Sequence, residues 1–180
     1  MGLAKTERLE ELVDDLLGDR KIEDLAIPFA AVSADIGTME EVVFRRGSVA
    51  RAVRASSSVP AIFEPVIEND RALVDGGVIN NLPTDLVREL GADTVIAVDL
   101  NGKVGEKGTP SNLFDVSYRS FAALIWNTSR EGRERADLLI EPDISHIGYH
   151  ELGKADELFA AGEAAANAAL ASFRRSTAPS

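Results

Sequence analysis

Cysteine is absent from all 180 residues, so neither a disulfide framework nor a thiolate metal cluster can form, and the chain suits a reducing compartment. Positive charge is scarce: 19 Lys and Arg stand against 30 Asp and Glu, a net charge of −11. The resulting negative field repels phosphate backbones and anionic lipid at long range, so no nucleic-acid partner is expected. A local apolar patch can still touch lipid, but without electrostatic recruitment. No apolar run reaches the roughly 20 residues that a spanning helix needs, so no transmembrane segment is expected. The opening MGLAKTERLEELVDD has no apolar signal core. These absences point to a cytoplasmic protein that could lie peripheral to a membrane.

What is present suits one α/β domain with a single core. Leu9, Leu12, Val13, Leu16 and Leu17 share a helical face between Thr6, a candidate N-cap, and Gly18, a terminator. Residues 27–36 read as a strand that pairs with Glu41 to Phe44 across Gly37-Thr38. Ser48 caps a helix to about Ser57, and Pro60 forces an extended exit. Residues 65–67 and 71–74 form a second strand pair around Glu68-Asn69-Asp70. A short helix over 85–90 follows, then a strand over 94–100, a glycine-rich loop over 101–112 and a long helix over 113–135. A strand over 137–140 and an alanine-rich helix ending near Arg175 complete the chain. Strands alternating with helices predict a mostly parallel sheet with helices on both faces. The domain reads as residues 1–175, with a polar tail over 176–180.

Two carboxylates end apolar strands, where open α/β sheets build their sites. Asp75 is followed by Gly76 and Gly77, a pair that permits positive φ and close approach by a ligand or another segment. Asp99 ends VIAV without a glycine pair, and bonding the amides of Asn101 and Gly102 is its plain structural reading. For Asp75 the plain reading is a turn aspartate capping the next segment. Spacing alone does not rank the two. His146 and His150 stand four apart, but Gly148 intervenes and no supporting ligand surrounds them, so no metal site is expected. Gly102, Gly105 and Gly108 match neither a P-loop nor a dinucleotide fingerprint.

The blocks AVRASSSVPAIFEPV and LVDGGVINNLPTDLVRELGADTVIAVDL, with the preceding LLGDRKIEDLAIPFAAVSADIGTMEEVVFRRG, resemble the second half of bacterial patatin-like phospholipases, in the family's order. The similarity runs from about Leu3 to Phe173. It implies a three-layer α/β sandwich lacking the fold's N-terminal elements, and a Ser-Asp dyad hydrolase of acyl esters that uses no cofactor. The family's dyad aspartate lies in a DG[GA] motif, whose match here is Asp75 with Gly76 and Gly77 in support. Ser56, Ser57, Ser58, Pro60 and Phe63 then become candidate pocket walls, the serines also being residues that end a helix and Phe63 a residue equally suited to the core.

The resemblance also exposes a gap. No serine in the sequence has glycine two positions before and two after, so the GxSxG nucleophile is missing, and so is the glycine-rich oxyanion loop. Losing a single oxyanion donor typically costs about 10²–10³ in rate, so a chain without loop or nucleophile is expected to be inert alone. Two readings remain: one portion of a lipid acyl hydrolase, completed by a complementary N-terminal half or split partner, or a non-catalytic binding or assembly module. Removing part of a sheet bares strand edges and apolar faces, so self-association is expected in the isolated chain.

Overall fold

The computed structural model describes residues 6–60, 62–101, 109–147 and 151–177. The first helix, α1 (Glu7–Leu17), ends where expected, at Gly18, whose φ of 71° only glycine adopts without strain and whose amide donates to the Asp14 carbonyl. Its start differs from expectation. Thr6 makes no side-chain cap, because its Oγ1 accepts instead from Arg54 Nε at 2.9 Å. Arg54 also pairs with Glu7 and Glu10. These polar ties and the half-buried Leu9 and Val13 hold α1 down, while Leu12, Leu16 and Leu17 are exposed.

Two hairpins follow. Strands β1 (Ala31–Asp35) and β2 (Glu40–Phe44) pair antiparallel across a tight turn, and α2 (Val49–Ser56) begins with Ser48 Oγ accepting from Arg51 N at 3.1 Å. Strands β3 (Val66–Glu68) and β4 (Arg71–Asp75) pair antiparallel through Asn69 and Asp70, both at positive φ as the two central residues of a mirror-image turn. β4 then pairs antiparallel with β1, giving the order β2-β1-β4-β3. After α3 (Thr84–Glu89), β5 (Ile96–Val98) and β6 (Leu138–Ile140) form a separate parallel pair joined through α4 (Leu113–Arg135), and α5 (Ala155–Thr177) lies against β6.

The chain is thus α/β, but the expected mostly parallel sheet is corrected. Among the described residues the four-stranded sheet is antiparallel throughout, and only β5 and β6 run parallel. The reason is local: turns of a few residues at 36–39 and 69–70 can only reverse the chain, whereas a parallel pair needs a long crossover, which α4 supplies once. On one face of the four-stranded sheet, Ala31, Ser33, Leu73 and Val66 meet α2 through Ala52 and Ala55. Alternation turns Val32, Ala34 and Val74 to the other face, where they are buried under the segment after β4, with α4 behind it.

Candidate active site

The C-terminal end of β4 delivers Asp75 into a cavity of about 320 Å³. Phe29 to Val32, Val53, Ser56, Ser57, Gly76, Gly77, Asn80, Asn81 and Pro83 complete its lining. Asp75 is the one carboxylate among them, half-buried, with no cation in the wall. Burial therefore pushes its carboxyl above the ordinary range, and the Gly77 amide pulls back only in part. Gly77 N donates to Asp75 Oδ1 at 2.8 Å, so the aspartate caps the single 3-10 turn Gly76–Val78. No described residue donates to Oδ2. The capping role weighed from sequence is real, and it coexists with a place in the cavity.

Of the two reasons expected for the glycine pair, close approach holds and positive φ does not. Neither Gly76 nor Gly77 is at positive φ. At Gly76 a Cβ would stand 2.6 Å from the carbonyl carbon of Val32 and nearer still to its oxygen, and at Gly77 it would strike Ile125 Cδ1 and stand 2.9 Å from Asn81 Oδ1. Close approach, by the Val32 backbone at Gly76 and by side chains at Gly77, and not backbone conformation, favours glycine here.

Of the sequence-predicted wall residues, the cavity gathers Ser56 and Ser57, at the end of α2. Neither hydroxyl is hydrogen-bonded to Asp75 among the described residues. Both sit at the negative end of the helix dipole, an unfavourable place for an alkoxide. Ser58 is fully buried and donates to the Arg54 carbonyl at 2.8 Å, while Pro60 and Phe63 are half-buried and stand outside the lining. Asp99 follows its plain reading: Oδ1 accepts from Asn101 N at 2.9 Å and Oδ2 meets Arg133, which also pairs with Glu141. His146 pairs with Glu157 at 2.7 Å; His150 and residues 102–108 of the glycine-rich loop lie outside the described residues.

Sequence reasoning missed Phe29, Val53, Asn80, Asn81 and Pro83 as wall residues. It also missed the face of α4 behind them. There Thr128 Oγ1 donates to Gly77 O at 2.7 Å, Asn81 Nδ2 donates to Ser129 Oγ at 2.8 Å, and Gly132 lies against the Leu82 backbone. A glycine inside a long helix, seven residues after Ile125, was the available signal of close approach.

Comparison with known proteins now bears on this geometry. The family described as patatin-like phospholipase matches residues 1–88, a span that contains Asp75, Gly76 and Gly77. An uncharacterized NTE family protein of Mycobacterium tuberculosis is 34% identical over 193 residues, covering 94% of this chain and 33% of its own length. The chain belongs to the patatin-like phospholipase family. A second NTE family protein of the same organism is 38% identical over 101 residues, 56% of this chain and 28% of its own. Patatin-like phospholipase domain-containing protein 7 of Mus musculus is 40% identical over 93 residues, 51% of this chain and 7% of its own. The chain spans about a third of the length of the first of these mycobacterial relatives. Among the described residues no helix is long and apolar enough to cross a membrane.

Proposed function

We propose that this chain supplies the base of a Ser-Asp lipid acyl hydrolase, residues 1–175 being the C-terminal portion of a patatin-like domain. The observation that carries the reading is Asp75 itself: the single carboxylate of a cavity, at a strand's end, with one oxygen fixed by Gly77 and the other without a donor among the described residues. A carboxylate whose proton affinity is raised by burial is a better base near neutral pH. In this reading Asp75 Oδ2 takes the proton of a seryl hydroxyl as that oxygen attacks a lipid or other carboxylic ester carbonyl. Collapse of the tetrahedral adduct expels the alcohol and leaves an acyl-serine, which water then hydrolyses.

The serine and the oxyanion donors come from polypeptide with a GxSxG elbow, because this sequence has no such segment. In this reading that polypeptide packs on β5, where Ile96 and Val98 are each at least half exposed. A parallel pair is normally buried on both faces, so this surface suits further layers of the same fold. The setting is cytoplasmic and peripheral to lipid, without electrostatic attraction to it.

The test is reconstitution. The chain alone is expected neither to react with a fluorophosphonate nor to hydrolyse p-nitrophenyl butyrate. Joined to or mixed with a GxSxG-bearing segment of the family, it is expected to do both, and Asp75→Asn to remove about 10³-fold or more of the hydrolysis. Stoichiometric labelling of a serine in the chain alone would overturn the assignment of the nucleophile. An assembly equally active with Asp75→Asn would overturn that of the base.

A further inference from the structure

Taking Asp75 as the base of the site, we propose that Thr128 on α4 is its positioning residue, acting through the backbone of Gly77. The Gly77 backbone is held at both ends. Its N–H donates to Asp75 Oδ1 at 2.8 Å, and its carbonyl accepts from Thr128 Oγ1 at 2.7 Å. Rotation of this glycine would move the donor away from the carboxylate, and glycine resists rotation less than any other residue. The threonine hydroxyl supplies the resistance that a side chain would otherwise give.

Thr128 is not merely one contact of a packed surface. The same face of α4 carries Ile125 against Gly77, Ser129 bonded to Asn81, and Gly132 against the backbone of Leu82. These three fix where the helix lies relative to residues 77–82. Ser129 is itself tied down, donating to the Ile125 carbonyl at 2.8 Å while receiving the Asn81 amide. Thr128 alone among them hydrogen-bonds Gly77, the residue whose N–H holds Asp75, and it does so across the Gly77 Cα. Its hydroxyl proton is shared with the Ile125 carbonyl at 3.0 Å, while the amides of Ile79 and Asn80 hold the Gly76 carbonyl, so Thr128 adds the hold on the other side of the Gly77 Cα. The distance of Thr128 from Asp75 in sequence, 53 residues by their numbering, explains why no motif around Asp75 reveals it.

The experiment is carboxyl-detected NMR titration of the full 180-residue chain labelled at aspartate. Thr128→Val keeps the shape and removes the donor; Thr128→Ser keeps the donor and removes the methyl. Thr128→Val is expected to raise the Asp75 titration midpoint by about half a pH unit, because a loosened Gly77 amide stabilises the carboxylate less. Thr128→Ser is expected to stay at the wild-type midpoint. An unchanged midpoint in folded Thr128→Val, or a Thr128→Ser that behaves like the valine variant, would overturn the proposal. Should Thr128→Val fail to fold, the wild-type chain decides: Gly77 amide and Thr128 methyl signals that follow the Asp75 midpoint support the coupling, and a Thr128 methyl silent through that titration refutes it. These readouts need no catalytic activity, so they stand apart from the Asp75→Asn reconstitution assay that tests the base assignment itself.

Discussion

Replacing Gly76 by alanine puts one methyl group into a close backbone approach beside Asp75. The new Cβ would stand 2.6 Å from the Val32 carbonyl carbon and 2.9 Å from Val32 Cγ1, where ordinary contact begins at 3.4 Å. The obstacle is main chain, not the end of a flexible side chain. Val32 sits in β1, the inner strand bonded to both β2 and β4, so it cannot retreat without straining two ladders. Relief therefore requires the turn after β4 to lift, at the upper end of overpacking costs, about 3 kcal/mol. For a chain of this size each kcal/mol lowers Tm by about 2–4 °C, so the expected fall is about 6–12 °C.

Gly162→Ala provides the opposite sign from the same chemical change. Gly162 lies in α5, nothing stands within 4 Å of where its Cβ would be, and alanine is favoured over glycine in a helix interior by about 1 kcal/mol. Its Tm is expected to rise by about 2–4 °C. Thermal unfolding followed by far-ultraviolet circular dichroism reads both variants. A Gly76→Ala protein melting with the wild type would refute the claim that close approach, and not backbone conformation, demands glycine beside Asp75.

Asp75→Asn is expected to stabilise the chain at neutral pH. The folded carboxyl is raised by burial, so its stabilising contribution is complete below the unfolded pKa and is lost as pH rises through the folded value; melts of variant and wild type converge in acid if this is right. Asp137 has the opposite sign, its carboxyl being lowered by the Val95 amide and then by Arg88, so Asp137→Asn is expected to cost stability at neutral pH and little in acid, as melts across pH will show. Arg133→Leu leaves Asp99 buried and unpaired and is expected to cost about 3 kcal/mol in urea unfolding, with Asp99→Asn recovering part of it. The isolated chain is expected to self-associate through the bare face of β5, and Ile96→Glu to suppress this; a monomer by light scattering at every concentration would contradict the expectation.

Local chemistry made much of the fold legible. Ser48 announced α2, the Asn69-Asp70 turn announced the second hairpin, and residues 113–135 were bounded as the helix they form. Both hairpins were legible, but the antiparallel pairing of β1 with β4 that joins them was not, because alternation of element types says nothing about which strands become neighbours once hairpins intervene. The α1 face misled for a related reason. Its leucines repeat as a buried stripe would, yet the described structure covers only Leu9 and Val13 in part. Within the site, β4 and its glycines marked Asp75, but Thr128, Asn81 and Phe29 come from three other segments. Their convergence is a property of the tertiary arrangement.

Asp75 and Asp99 both end apolar strands, and they differ in the surroundings of a single oxygen. Asp35, Asp75 and Asp99 make the same local turn, each Oδ1 accepting the amide two residues on: Gly37, Gly77 and Asn101. Such turns are what aspartate does after a strand, so the motif carries no functional information. The second oxygen does. Asp35 Oδ2 accepts from Thr38 Oγ1 and lies 3.9 Å from Arg71, and Asp99 Oδ2 meets Arg133. Both carboxylates are fully engaged by the protein, and their charge stabilises structure. Asp75 Oδ2 has no donor among the described residues and shares its cavity with no cation. Burial with no cation in the cavity disfavours the ionised form of a carboxylate so placed. Under the proposed function, capping and proton transfer are therefore not rival explanations of Asp75: the first fixes one oxygen and leaves the second to the other.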